Sequence, residues 1–167
     1  MRAALIRDVG ATPEVGDASD PAGDVVDVLA APINPIDLAV SRGILATGHP
    51  ELPYVPGCEA VGRTADGRVV WIFGGSLGRT SNGAIAGRAA VGDAHTIEVP
   101  EGVRLVIGRR LDRLGAQART VLTAGAVIGR TFPLDVVQAC VSLSDDAVLD
   151  AIEDAERAQL VAVDPSQ

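Results

Sequence analysis

The chain changes texture once, near Val103, and that change limits the architectures open to it. From residue 1 to 103 short apolar runs are broken by Gly, Pro and Asp, the pattern of strands separated by turns. From about residue 110 the apolar residues recur at helical spacing instead. The expected fold class is therefore α+β, with a β-rich domain over 1–103 and a small helical unit over 104–167.

In the first part, strands are expected over Arg2 to Arg7, Asp24 to Ala31, Ala60 to Thr64, Arg68 to Phe73, Ala84 to Val91 and Thr96 to Val99. Asp66-Gly67 between two of these runs is a hairpin signal, because Gly accepts positive φ in a tight turn. One helix interrupts the strands: Pro35 fits a first turn, Ile36, Ala39 and Val40 share a side, and Gly43 supplies a stop.

In the second part, Ala116 to Ile128 places Ala118, Val121, Leu122, Gly125 and Ile128 along one side, with Gly129 as a C-terminal stop. An interior glycine such as Gly125 weakens a helix. A short helix over Pro133 to about Val141 follows. Ser144 then caps a third helix with Asp145 and Asp146 in its first turn and Val148, Leu149, Ile152 and Ala155 on its apolar face, ending near Gln159. Leu160 to Val163 is expected as a strand. The seam from Pro100 to Arg110 is apolar enough to fold against either neighbour.

Hydrophobic residues make up 47% of the 167, yet Trp71, Tyr54, Phe73 and Phe132 are the only aromatic side chains. The core must be built from Val, Leu, Ile and Ala, and few platforms exist for stacking bases or flavins. All 14 basic residues are Arg, and the net charge of −8 opposes a surface that neutralises phosphates, so no nucleic-acid partner is expected. Cys58 and Cys140 are the only cysteines, which makes a disulfide framework improbable and a reducing, cytoplasmic setting the default. No apolar run reaches membrane-spanning length, and no membrane partner is expected.

The stretch Ala30-Ala-Pro-Ile-Asn-Pro-Ile-Asp37, followed by Leu52-Pro-Tyr-Val-Pro-Gly-Cys-Glu-Ala-Val-Gly62, resembles the medium-chain dehydrogenase/reductase family in its zinc-free quinone oxidoreductase branch. Met1 to Ile6, Val70 to Gly75, Gly83 to Gly87 and Glu98 to Val103 match further family segments in order and spacing, so the resemblance covers about the first 103 residues. It implies a GroES-like, partly open β-barrel forming one wall of a cleft that holds NADPH. By resemblance Asn34, Pro35 and Asp37 are the cofactor-binding residues and Asn34 the catalytic one, near the nicotinamide and the substrate carbonyl. On local grounds Asn34 equally ends a strand and caps the following helix. One departure is Ala39, where relatives commonly carry a tyrosine.

Zinc is not expected. Asp37, Cys58, Glu59 and His49 are the nearest approach to a ligand set, and a zinc site needs three or four converging ligands. No Arg or His adjoins Cys58 in sequence to activate its thiolate. The family's phosphate loop is a Gly-rich turn between a strand and a helix. Gly74-Gly-Ser-Leu-Gly78 imitates it, but Arg79-Thr-Ser-Asn-Gly83 follows where the helix belongs.

Residues 104–164 resemble the winged-helix region of bacterial regulatory ATPases, through Leu111 to Leu114, Ala118 to Leu122, Val127 to Phe132 and Leu143 to Leu160. The combined expectation is a truncated or fused quinone oxidoreductase-like protein without its Rossmann domain. Its family chemistry would be NADPH-dependent reduction of quinones or enones, with no cofactor bound and no activity in this chain alone. The alternative is a non-catalytic interaction or regulatory module, with a protein partner or self-association through the open barrel edge.

Overall fold

The structure is a computed structural model that describes residues 1–163. The chain forms two compact units, one over Met1–Val99 and a second from Pro100 onward. The first is built on antiparallel sheets and the second on helices.

In the first unit, β1 (Arg2–Leu5) pairs with β2 (Glu14–Asp17). A separate five-stranded sheet contains β3 (Val25–Ala30), β4 (Glu59–Arg63), β5 (Val69–Phe73), β6 (Arg88–Ala90) and β7 (His95–Glu98), in the order β6-β3-β4-β5-β7, with every pair antiparallel. The Asp66-Gly67 turn joins β4 to β5: Gly67 has φ +88°, and Thr64 N–H donates to the Arg68 carbonyl. Pleating puts Val26, Ala60, Val70 and Ile72 on one face, where Leu77, Ala84 and Ala89 complete a core. A smaller cluster of Ile6, Val40, Tyr54 and Cys58 lies under the single helix of this unit, α1 (Pro35–Ser41).

Two expectations for this unit are corrected. Ala84 to Val91 is not one strand, since only Arg88–Ala90 joins the sheet. Residues 83–85 instead donate backbone hydrogen bonds to the carbonyls of Val55, Pro56 and Gly57, and Ala86 forms an isolated bridge with Ala3. β2 has no expected counterpart, because Glu-Val-Gly-Asp lacks an apolar alternation and its Val15 is exposed. Ladder pairing with β1 makes it a strand.

The second unit contains α2 (Glu101–Leu111), α3 (Ala116–Ile128), α4 (Leu134–Cys140) and α5 (Asp145–Arg157). Val121, Val137 and Val148 are fully buried where α3, α4 and α5 meet, with Leu114, Ala118 and Ala151 around them. Ser144 Oγ accepts from Ala147 N–H and starts α5. The seam does not fold as a covered segment. It is helix α2, none of whose residues is buried, and Val103, Leu105, Val106 and Ile107 are 45–53% exposed. Glu101 in its first turn and Arg109 and Arg110 in its last complement the helix dipole, which explains a helix where the apolar run hides one. Leu160 to Val163 is not a strand. A strand needs a neighbour to accept its hydrogen bonds, and among the described residues the second unit has none.

Gly125 has a packing reason. A Cβ there would lie 2.8–3.1 Å from the ring of Phe132, so the glycine lets the ring close on α3. Gly125→Ala should therefore lower stability by about 1–2 kcal/mol in urea denaturation, despite the better helix propensity of Ala. The same substitution in a Phe132→Leu background should cost less.

Candidate functional site

Asn34, Pro35 and Asp37 fall where β3 gives way to α1. Asn34 is the N-cap, in extended conformation at φ −103° and ψ 159°, and Pro35 opens the first turn, where its missing N–H leaves nothing unsatisfied. Asp37 is only 4% exposed. Its Oδ2 accepts from Asn34 N–H at 2.7 Å, and its Oδ1 accepts from Cys58 N–H, also at 2.7 Å, across 21 residues of sequence. One carboxylate thus fixes the N-cap of α1 to the residue preceding β4. The arrangement brings Asn34 and Cys58 into one neighbourhood, with exposed Ile33 and Ile36 flanking Asn34.

Cys58 packs in the cluster with Tyr54, Ile6 and Val40. Burial, then its hydrogen bond with Asp37, pushes its thiol well above the ordinary range, and the lowering influence of the Arg79 guanidinium is too small to reverse this. The Tyr54 hydroxyl is raised too, chiefly by burial and then by negative charge on Cys58 and Asp37. The Tyr54 ring is 6.2 Å from that of His49 in a stacked geometry. Among the described residues only two buried side-chain polar atoms lack a hydrogen-bond partner, Tyr54 Oη and Arg79 Nε. A donor left in that condition costs roughly 1–3 kcal/mol. Neither residue announces itself in the sequence, since an orphaned atom is a property of the packing around it.

Asp37, Cys58, Glu59 and His49 do not assemble into a metal site. Both oxygens of Asp37 are engaged by backbone N–H groups, and among the described residues no group of three or more His, Cys, Asp or Glu converges.

Residues 74–78 also fail the requirements of a phosphate loop. Gly75 (φ +58°) lies so close to Asp93 that a Cβ would come within 2.6 Å of its carboxylate. That carboxylate accepts from Ser76 N–H at 2.8 Å and from Ser76 Oγ–H at 2.6 Å, and these hydrogen bonds hold it below the usual carboxylate range. A Cβ on Gly78 (φ +66°) would lie 2.5 Å from the Gly57 carbonyl oxygen. These glycines allow the loop to press on its own protein, and an internal anion takes the Ser76 donors. Turns follow, rather than a helix. Glu98, at the spacing of a ribose-binding acid, lies on β7 and pairs with Arg68 at 3.7 Å. This loop therefore offers no seat for a dinucleotide pyrophosphate, and NADPH does not fit it.

No protein-family model and no curated protein matches the sequence. Solved structures do. The yhdH oxidoreductase from Salmonella enterica, in complex with NADP, is 25% identical with a TM-score of 0.50, covering 75% of this chain and 42% of that one. The quinone oxidoreductase from Thermus thermophilus, solved alone and with NADPH, is 25% identical with a TM-score of 0.51, covering 83% and 57%. An NAD-dependent alcohol dehydrogenase shares the fold at 18% identity, with a TM-score of 0.54 and coverage of 89% and 61%. The chain thus spans about half the length of the structures it resembles. Its structural relatives are oxidoreductases of the medium-chain dehydrogenase and quinone oxidoreductase type, two of them solved with NADP or NADPH.

Asp37→Asn keeps one acceptor for two N–H donors, and should cost about 2 kcal/mol in urea denaturation. A thiol-exchange reagent near neutral pH should label exposed Cys140 quickly and buried Cys58 only on unfolding. Because folding raises the Cys58 pKa, its contribution to stability is complete below the ordinary thiol value of about 8.5 and declines as pH rises above it. Cys58→Ala should flatten that alkaline decline in the urea midpoint.

Proposed function

We propose that residues 1–99 are the GroES-like, substrate-side half of a zinc-free quinone oxidoreductase scaffold. The Asn34–Cys58 region is the wall against which a substrate carbonyl lies. The Asp37 clamp carries this reading, because it holds the backbones of Asn34 and Cys58 together beside exposed Ile33 and Ile36 in a fold shared with NADP-bound oxidoreductases. Asn34 is the polar group offered to the substrate. Pro35 sets its exit into α1, and Asp37 is a positioning residue.

The family's chemistry is NADPH-dependent reduction of quinones or enones, for which the nucleotide supplies hydride. The 167 residues present one wall of such a site and, on this reading, neither seat the nucleotide nor turn over alone. Support comes from the antiparallel pairing of every strand in the sheets, since the pyrophosphate fingerprint belongs to a parallel strand–turn–helix unit.

NADPH fluorescence titrated against the full chain should show no saturable change corresponding to a Kd tighter than about 1 mM. Cyclohexenone should shift the backbone amide resonances of Asn34, Asp37 and Cys58. Tight NADPH binding would overturn the one-wall assignment, and unmoved amides at those three positions would overturn the substrate-side assignment.

A further inference from the structure

The second unit leaves apolar surface exposed in two places, and the charges around the two are opposite in sign. On α2, Val103, Val106 and Ile107 recur at helical spacing and are 49, 52 and 45% exposed. Arg104, Arg109 and Arg110 belong to the same helix, and Arg113 follows it. The other surface is a groove of about 1260 Å³ between α3, residues 129–134, α5 and the segment after α5. Leu122, Phe132, Leu134, Leu149, Ile152 and Leu160 line it, with Leu134 and Leu149 still 38 and 45% exposed. Glu156 lines it too, and Asp145, Asp146 and Glu153 stand one helical turn from Leu149 on the same side of α5. The minority charges also match, since the groove has Arg130 and the first turn of α2 has Glu101. The ion pairs of this unit join Arg119 to Asp112 and Arg157 to Asp154. Among the described residues, none uses an arginine of α2 or these acids of α5. Within its own chain α2 is tied to the groove's rim, where Arg110 donates to the Gln159 carbonyl at 3.0 Å, and no residue of α2 lines the groove.

We propose that α2 of a second copy of this chain lies in the groove, and that the exchange is reciprocal, each copy giving a helix and receiving one. An apolar helix face laid into an apolar groove is an established mode of recognition. The apolar side chains supply the attraction, and the arginines of α2 against the acids of α5 select the partner and its direction. Charge complementarity points to a second copy, because each chain carries both halves of the match in equal number. The same surface meets itself across a two-fold axis, so the assembly closes as a dimer. Two such contacts combine toward the roughly 1,200–2,000 Å² that a stable interface buries.

Sedimentation velocity of the full chain from about 1 to 200 µM should show a monomer–dimer equilibrium with a Kd in that range. Ile107→Ser and Leu149→Ser should each weaken it at least about tenfold, with unchanged far-ultraviolet circular dichroism because both side chains are exposed. Charge reversal gives the sharper test. A chain with Arg104→Glu and Arg109→Glu, and another with Glu153→Arg and Glu156→Arg, should each be monomeric. Mixed in equal amounts they should dimerise again, since each helix then meets a groove of opposite charge. A mixture that stays monomeric would overturn the proposed pairing. A dimer that survives Ile107→Ser and Leu149→Ser would place the contact on another surface, such as a sheet edge, and overturn it too. A wild-type chain that stays monomeric throughout would overturn the second copy as occupant, and amide spectra would then name the alternative. Shifts of Leu149 and Ile152 caused by Ile107→Ser would put the chain's own α2 in the groove, and unmoved amides would leave the groove to a different protein.

Discussion

The carboxylate of Asp37 sits in apolar surroundings with both oxygens committed to backbone N–H groups, and the first unit's site depends on that arrangement. A helix of seven residues is too short to be stable by propensity, so its position has to come from outside. One hydrogen bond closes its first turn onto Asn34 and the other reaches Cys58. The orientation of Asn34 and the path of the chain into β4 are therefore set by one group. A carboxylate this buried is tolerated only because both oxygens accept. The element that shapes the site is also one the fold cannot lose cheaply.

The glycine-rich loop shows the same economy turned to a different end. Gly75 and Gly78 have the positive φ values that phosphate loops also use, yet the space freed by their missing side chains is filled by Asp93 and by the Gly57 carbonyl. A motif that imitates an anion cradle is thus an internal clasp with its own anion supplied. This separates fold from activity: the likeness to solved oxidoreductases covers 75% and 83% of the chain, while the glycines and donors of this one loop are turned inward.

Much of this was legible in the residues. The Asp66-Gly67 hairpin, the limits of α3 with its glycine stop, and the Ser144 cap follow from local rules, and the structure realises each of them. Asn34 was also placed at the N-terminus of a helix, where it is found. What the sequence hid was decided at a distance. β2 exists because β1 needs a partner. Residues 84 and 85 leave the expected strand because Pro56 and Gly57 take their hydrogen bonds. α2 carries its apolar residues exposed, so its burial pattern contradicts its composition. Arg79 and Tyr54 stand out only once it is known which of their atoms have partners.

Trp71 stacks on Phe73 with ring centroids 4.1 Å apart, and Phe73 in turn approaches His95 at 5.3 Å. It is the only tryptophan in the chain, and it lies on β5 of the first unit. The indole is thus a native optical label for one unit alone. Its emission reports the sheet in which it lies, whereas four of the five helices among the described residues, and so most of their helical far-ultraviolet signal, belong to the second unit. Two spectroscopic signals from one unmodified sample therefore distinguish a chain that melts as a whole from one whose units melt apart.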